Sequence, residues 1–528
     1  MDAKRVERAG YSAPWSLRDW RVPLLTGLAI AVVTTIPYLY AYAVQPHNQV
    51  FMGFFYLGDD ANTYLAKMRQ GWEGAWSWSN RYTTESSPTV YLFLFWIFLG
   101  HVAALFNLPL IVVFHLAMVA AAFALTAAIW AFVNHFIADR PARLFAFFFC
   151  SIGLGMGYVI QALGHPVILG NTTDTLDWRM PELTAFYSVL ALPHFAWSGV
   201  FAAAGAVLTL KAIRKGSLTL AVLAGLCWLG QASIHPQMPI LMGGATAVAL
   251  LMRPASPRGW LAAIIAFAIP APYILYSYLA FVGNPQVERW TFHSKNALPP
   301  EAFSLFFAIA PQLLLALTGL PVVLRRRSRE DLFLIAWLVL LAAILYLPNP
   351  AGDLRRRFLD GIYLPLTVLG AIGLFETILP RLRSARAHAL IPFSYVAFTA
   401  IGSAFLVIAP MLIATQPQYS VSRTWFDGLN WLGTQPSGVV LSMPGVGLFV
   451  PAYSPDTVFV GHYDETFDYV NKTQTALDLL TGKKDIAQFD TANHIRYVIW
   501  TADLPTPPPT VLGAPAYDSP NFKIYRVY

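Results

Sequence analysis

Gly58-Asp59-Asp60-Ala61-Asn62-Thr63-Tyr64 places two adjacent carboxylates at the end of an aromatic run. The apolar stretch 24–44 lies just before this segment and has close to the roughly 20 residues that cross a bilayer. We therefore expect the two aspartates in a first outer loop, residues 45–109, just outside the membrane. Ionisable groups near membrane depth are costly, so their presence there indicates a functional site.

The composition is that of a polytopic membrane protein. Of the 528 residues 56% are hydrophobic and 12% are charged, whereas about a quarter are charged in soluble proteins. The basic residues behind the net charge of +7 cluster in short loops between apolar stretches. Such clustering is a topology signal, so we expect membrane lipids and no nucleic acid as partners. Cys150 and Cys227 lie in apolar stretches, which excludes a disulfide framework and a Cys-rich metal site.

The apolar stretches predict about eleven transmembrane helices. They cover residues 24–44, 110–137, 144–164, 192–212, 217–236, 238–252, 259–281, 302–324, 331–348, 361–379 and 390–414. Residues 89–106 are apolar but short, and a crossing there would place every later basic cluster outside. The positive-inside rule therefore favours a segment that does not cross, with the N-terminus cytoplasmic and the C-terminus extracytoplasmic.

Beyond the predicted transmembrane domain, residues 1–414, the chain becomes more polar. Alternating hydrophobic and polar residues predict strands at 439–442, 457–460, 497–500 and 523–527, and helices are expected at 425–432 and 472–481. These elements predict a small α/β extracytoplasmic domain over residues 415–528.

Asp60 is the first candidate for chemistry. A carboxylate at this position can take a proton from an acceptor hydroxyl or amine, and Asp59 and Asp60 together could hold a divalent cation. The structural alternative is that Asp60 caps the helix expected at 61–71, because aspartate is a favoured N-cap residue.

The run Arg355-Arg356-Arg357 is the main basic cluster on the predicted outer face. Arginine binds phosphate through paired hydrogen bonds and stays charged, so this run is a candidate site for a lipid phosphate. Anchoring to lipid headgroups, or a salt bridge to Asp353 or Asp360, is the alternative.

Other candidate substrate contacts are Tyr64, Glu85, His194, His235 and Arg289. The two histidines lie at the ends of predicted spans, where a structural role is the commoner explanation. No Walker-type phosphate loop or dinucleotide fingerprint is present, which argues against an ATP-driven pump.

Asp60-Ala61-Asn62-Thr63-Tyr64, followed by Glu85-Ser86-Ser87-Pro88 before an apolar stretch, resembles the first outer loop of the GT-C superfamily of membrane glycosyltransferases. It is most similar to the branch of protein O-mannosyltransferases and aminoarabinose transferases. That branch has two prolines after the glutamate where this chain has one, so the match at Glu85 is the weaker one. His194 and His235 have no counterpart in the branch.

The resemblance implies transfer of a sugar from a polyprenyl-phosphate-linked donor, on the outer face, to a lipid, glycan or protein acceptor. Asp60 would act as the base of an inverting displacement, with Asp59 orienting it or helping to hold a cation. Arg356 and Arg357 would bind the donor phosphate, together with Arg355.

Two other functional classes stay open. A transporter or flippase of lipid-linked sugars would need ionisable residues near the middle of the membrane and usually a repeated architecture. A non-catalytic membrane scaffold would bind a partner through its outer domain and would leave the aspartate pair without a role.

Overall fold

The structure, a computed structural model, describes residues 19–86, 88–168, 170–284, 299–348 and 352–527. These residues form two compact units. Unit 1 contains the described parts of 1–37, 117–278 and 295–410, and unit 2 contains those of 38–116, 279–294 and 411–528. The basic N-terminal tail and the candidate Arg289 lie outside the described residues.

In the described part of the chain, seven helices are long and apolar enough to cross a membrane. They are Arg21–Val44, Leu110–Phe136, Pro193–Lys215, Pro257–Val282, Ala302–Arg326, Arg355–Arg381 and Ala385–Leu412. Shorter apolar helices are Leu94–Phe106, Leu218–Ala232 and Met238–Met252, and the helix Arg329–Tyr346 begins with three charged residues. The predicted helical membrane architecture is confirmed in outline, but a total of about eleven spans is not.

The predicted span 144–164 is interrupted. Its helix, Arg140–Ile152, ends where the following backbone turns to other partners. The Met156 N–H donates to the carbonyl of Phe307 at 3.0 Å. That carbonyl is available because its partner within the helix would be residue 311, a proline without an N–H. Proline also explains the division of the predicted span 259–281, since Pro270 separates the helices Pro257–Ala268 and Ala271–Val282.

The other elements of unit 1 are short. The predicted span 361–379 is a succession of helix types, Gly352–Leu359 (3-10), Tyr363–Ile372 (α), Gly373–Ile378 (π) and Leu379–Arg381 (3-10). The loop 153–192 contains the helices Gly157–Ala162, Leu176–Arg179, Pro181–Leu183 and Ala185–Ala191 and a hairpin of Val167–Ile168 with Asn171–Thr172.

In unit 2 the two aspartates lie on the helix Gly58–Trp72, which we call the acidic helix. It packs closely on the helix Leu94–Phe106 through two glycines. A Cβ atom at Gly71 would lie 2.0 Å from the Ile97 carbonyl oxygen, and one at Gly100 would lie 1.9 Å from the Met68 carbonyl oxygen. The helix Leu94–Phe106 has 13 residues, which rise about 20 Å and fall short of the roughly 30 Å hydrocarbon core.

The C-terminal part of unit 2 contains a mixed five-stranded sheet. Its strand order is Thr457–Val458, Val439–Leu441, Ile495–Thr501, Phe522–Arg526 and Tyr517–Ser519. The first three strands run parallel, and the last two pairings are antiparallel. The helices are Pro417–Tyr419, Arg423–Leu432, Pro444–Gly447, Val450–Tyr453, Tyr469–Leu480, Ile486–Asn493 and Thr510–Leu512. The four strands and two helices expected from the sequence are present with shifted boundaries.

Residues of the first loop complete the core of this sheet. Ala66 and Tyr82 are buried in one cluster with Leu429, Val440 and Ile524. A further strand pairing joins the two chain segments, since Gln49–Phe51 runs antiparallel to Ser420–Ser422. The division at residue 414 stays a prediction, but the unit that contains the C-terminal sheet also includes residues 38–116.

Candidate active site

Both aspartates lie in the first turn of the acidic helix. The helix begins at Gly58, and its cap residue is Leu57, which has the left-handed backbone conformation without a side-chain cap. The predicted cap role of Asp60 is therefore wrong. Negative charge in a first helical turn interacts favourably with the helix dipole. Asp59 is exposed, and the side chain of Asp60 is 43% exposed.

A histidine that was not among the sequence candidates lies beside Asp60. The Nε2 atom of His462 is 3.7 Å from Asp60 Oδ1, and the imidazole is 3% exposed. The N–H of Asp464 donates to His462 Nδ1 at 3.3 Å. Because Nδ1 accepts this hydrogen bond, the proton of the neutral ring is on Nε2 and faces the carboxylate.

A buried ion pair lies further along the same helix face. Asp60, Tyr64 and Lys67 are spaced by four and three residues, which places them on one side of the helix. Lys67 Nζ donates to Glu465 Oε1 at 2.6 Å, with both side chains buried. The Tyr64 ring stacks on Trp96 with 4.3 Å between centroids. Packing thus accounts for the ring of Tyr64, and its substrate contact stays a prediction.

His462 and Glu465 belong to one turn, residues 461–467, which is fixed to the first loop by hydrogen bonds. Asn80 Nδ2 donates to the Glu465 carbonyl at 2.7 Å, and Thr466 Oγ1 donates to the Tyr82 carbonyl at 2.7 Å. A Cβ atom at Gly461 would lie 2.7 Å from the Tyr82 ring. Close backbone approach therefore requires glycine at the start of this turn.

Glu85 has a separate partner in the C-terminal part of unit 2. Lys472 Nζ donates to Glu85 Oε2 at 2.7 Å, and Thr83 donates to the same oxygen. Burial would raise the pKa of Glu85, but the hydrogen bonds from Lys472 and Thr83 outweigh it and lower the pKa below its ordinary value. No contact between Glu85 and Asp60 occurs among the described residues, so the substrate role of Glu85 stays a prediction.

In unit 1 the three arginines have different surroundings. Arg355 donates to the Leu345 carbonyl at 3.2 Å, and Arg356 Nε donates to the buried Glu182 at 3.3 Å. Among the described residues no hydrogen bond or ion pair involves the guanidinium of Arg357. Its backbone carbonyl accepts a hydrogen bond from Gln237 at 3.1 Å. Glu182 is thus a partner of the run that sequence analysis did not identify.

Asp360, considered above as a partner of the arginines, instead binds His235. His235 Nδ1 is 2.9 Å from Asp360 Oδ2, and both side chains are buried. Ser198 donates to the same carboxylate oxygen, and Gln231 donates to Ser198 Oγ at 2.6 Å. His194 is buried too, and its ring lies 5.8 Å from that of His235. The structure therefore brings the two predicted histidines together, around a carboxylate that was not predicted to bind them.

The fit to the predicted divalent cation is poor. No group of three or more His, Cys, Asp or Glu side chains arranged for a metal ion occurs within the described ranges. Asp59 is exposed, and the Nε2 atom of His462 carries the proton that a metal would replace. The mechanism proposed below therefore assigns no step to a cation.

No protein-family model and no curated protein matches this chain, but solved structures do. Archaeal oligosaccharyltransferase AglB from Archaeoglobus fulgidus, solved with an inhibitory peptide and a dolichol-phosphate, has a TM-score of 0.51 at 15% identity over 90% of this chain and 69% of AglB. The mycobacterial arabinofuranosyltransferase AftD has a TM-score of 0.53 at 14% identity over 98% of this chain. Both are membrane glycosyltransferases of the GT-C superfamily.

The fold of this chain is of the GT-C type. The predicted resemblance to that superfamily is thereby confirmed for the fold, and the apolar helices are those of an integral membrane protein. The chain spans 40% of the length of AftD. Donor, acceptor and catalytic residues are therefore matters for proposal.

Proposed function

We propose that this protein transfers a sugar from a polyprenyl-phosphate-linked donor to an acceptor on the outer face of the membrane, with inversion at the anomeric carbon. The observation that carries the proposal is the environment of Asp60 in a GT-C-type fold. Its carboxylate is accessible to solvent in the first turn of the acidic helix, and a buried imidazole lies 3.7 Å away. An accessible, oriented carboxylate is what a general base requires.

The reaction is a single in-line displacement. The acceptor hydroxyl or amine attacks the anomeric carbon while the bond from that carbon to the phosphate oxygen breaks. Asp60 takes the proton that the acceptor loses, and the polyprenyl phosphate leaves with the bonding electron pair. Because the leaving phosphate is already an anion, the step does not require a separate acid.

We assign the donor phosphate to the arginine run of unit 1, and within it to Arg357. The guanidinium groups of Arg355 and Arg356 already donate to Leu345 and Glu182. Among the described residues Arg357 is the member of the run with uncommitted donors, and the planar guanidinium suits two phosphate oxygens at once. The N-terminus is proposed to be cytoplasmic and the C-terminal sheet extracytoplasmic.

Purified protein in lipid nanodiscs, given a panel of polyprenyl-phosphate sugars, tests this proposal. Asp60→Asn should lower kcat by about 10²–10⁴-fold while thermal unfolding stays unchanged. Arg357→Gln should raise KM for the donor, whereas the matched variant Arg356→Gln should act mainly on stability through Glu182. Turnover of Asp60→Asn at the wild-type rate would exclude Asp60 as the base.

A flippase for lipid-linked sugars is the second candidate, and one observation favours it. Asp360 and His235 form a buried ionisable pair, and such groups in membrane helices often mark transport pathways. Proteoliposomes with a fluorescent lipid-linked sugar distinguish the two functions. Translocation without formation of a glycosylated product would support the flippase, and product formation that depends on Asp60 would support the transferase.

A further inference from the structure

We infer that His462 is the positioning residue for Asp60, because its Nε2–H holds one carboxylate oxygen so that the other is free for the acceptor. This inference rests on the proposed function and extends it to a residue 402 positions further along the chain than Asp60. The two side chains are brought together by the 461–467 turn, which lies against the acidic helix.

Both ring nitrogens of His462 have defined roles in this geometry. Nδ1 accepts from the Asp464 N–H, and Nε2 faces Asp60 Oδ1. Neither nitrogen is therefore left to take a proton from an acceptor. The imidazole is also buried, whereas the carboxylate is accessible. Asp60 is consequently the group that meets substrate, and His462 acts through it.

The distance of 3.7 Å between Nε2 and Oδ1 is longer than a hydrogen bond by about 0.8 Å. Catalytic hydrogen bonds are often long in a protein without ligand and tighten when substrate binds. A rotation of the exposed Asp60 side chain would close this gap without a change in the backbone. The buried imidazole, in contact with the Tyr82 and Tyr463 rings at centroid distances of 6.2 Å and 4.5 Å, is the fixed member of the pair.

The neighbouring ion pair sets the position of the turn. Lys67 and Glu465 join the acidic helix to the turn three residues after His462. Lys67 Nζ also donates to Thr63 Oγ1 at 3.1 Å and lies 4.7 Å from the centre of the Phe93 ring. The opposite charges of Lys67 and Glu465 largely cancel at the imidazole. His462 therefore meets one accessible ionised group, the Asp60 carboxylate.

Two substitutions separate positioning from packing. His462→Met fills the space without a donor, and His462→Gln restores an N–H near the position of Nε2. Because a misplacement of about 1 Å can cost about 10²-fold in rate, His462→Met should lower kcat by about that factor with little change in KM. His462→Gln should recover most of the rate. Equal losses in both variants would overturn the inference.

A double-mutant cycle shows whether His462 acts through Asp60. In the Asp60→Asn background, His462→Met should cause little further loss of the residual rate, since residues that act as a unit are non-additive. A further loss of the same factor would overturn the inference. His101 provides a matched control, because its ring contacts the Ala75 carbonyl at 3.0 Å and the Trp76 ring rather than a carboxylate. His101→Met should therefore affect the wild-type and Asp60→Asn rates by the same factor.

A measurement without turnover distinguishes failure of this inference from failure of the proposed function. Solid-state ¹⁵N NMR of histidine-labelled protein, with His462→Gln to assign the resonance, should show a neutral ring protonated at Nε2. The Nε2 resonance should move in Asp60→Asn and not in His101→Met. A ring protonated at Nδ1 would overturn the inference even if sugar transfer is confirmed. If this tautomer is found but no sugar is transferred, the pairing stands and the proposed reaction fails.

Discussion

The pairs Asp60–His462 in unit 2 and Asp360–His235 in unit 1 contain the same two residue types with opposite surroundings. In the first pair the carboxylate is 43% exposed and lies 3.7 Å from the imidazole. In the second pair the carboxylate is 1% exposed and the distance is 2.9 Å. Ser198 donates to the buried carboxylate as well, so Asp360 is surrounded by donors.

Desolvation explains what the difference means. A buried carboxylate is costly unless hydrogen bonds compensate for the lost water, so the donors around Asp360 are required for folding. Asp60 keeps part of its water and needs no such shell. Asp60 is therefore available to a substrate and His462 supports it, whereas Asp360 supports His235. The predictions below test this contrast.

The largest effect on folding is expected for the ion pair beside the first histidine–aspartate pair. Lys67→Met leaves the Glu465 charge buried and unpaired, and should lower the free energy of unfolding by about 3–5 kcal/mol. The double variant Lys67→Met/Glu465→Met should recover most of this loss, because a buried ion pair can often be replaced by apolar groups. Denaturant unfolding in detergent micelles measures both.

Arg69→Met is the control for this prediction. Arg69 lies on the same helix and pairs with Glu73 at 2.8 Å, but Glu73 keeps Arg81 as a second partner. Its loss should cost less than about 1 kcal/mol, as for other pairs near the surface. Equal costs for the Lys67 and Arg69 variants would contradict the assignment of Lys67 as a buried anchor.

Asparagine at the two aspartate positions tests the contrast directly. Asp360→Asn replaces an acceptor oxygen with an amide group in a shell of donors, and should cost about 1–3 kcal/mol of unfolding free energy. Asp60→Asn should change stability by no more than about 0.5 kcal/mol, as is usual for accessible positions. The same unfolding assay applies to both. Comparable losses would show that Asp60 is also a structural residue.

The local parts of this architecture could be predicted from the sequence. Apolar length gave the membrane helices, alternation gave the four strands of the C-terminal sheet, and the position of Asp60 after an aromatic run indicated the site. The interruption of the span 144–164 could not be predicted, because it depends on a carbonyl that Pro311 leaves available in another helix.

The residues that complete the site were missed because their contacts join distant parts of the chain. Lys67 and Glu465 are 398 positions apart, and no local pattern predicts such a pair. One signal was present: Lys67 lies on the same helix face as Asp60 and Tyr64, and a lysine among apolar neighbours implies a carboxylate partner. The polar run from His462 to Glu465, directly after a predicted strand, is where such a partner could have been sought.

Asp177 shows how a buried carboxylate behaves without a histidine. Burial raises its pKa to about 7, although backbone N–H groups, including that of Gly157 at 3.1 Å, act in the opposite direction. The pKa in the folded state therefore exceeds the ordinary value of 3.8. The unfolded chain loses its proton first, so the destabilisation builds up between these two pH values and is complete above the higher one.

Asp177→Asn should consequently be more stable than the wild type at about pH 8 and equal to it near pH 4. One pKa unit corresponds to about 1.4 kcal/mol, and the buried amide offsets part of the gain, so we expect a difference of about 2 kcal/mol. Unfolding curves at both pH values measure it. A difference that does not depend on pH would contradict the raised pKa.

The smallest effect is expected for Glu85 and Lys472, an ion pair with an exposed carboxylate. Glu85→Gln should cost less than about 1 kcal/mol at pH 7, because solvent screens such pairs. The pKa of Glu85 lies below its ordinary value of 4.5, so the stabilisation is complete above that pH and decreases as the pH falls through the pKa of the folded state. Salt at about 1 M should remove most of the Glu85→Gln effect and leave the Lys67→Met effect nearly unchanged, because buried pairs are screened much less. If salt weakens both effects equally, the Lys67–Glu465 pair is open to water, and the contrast between a buried support and an accessible carboxylate fails.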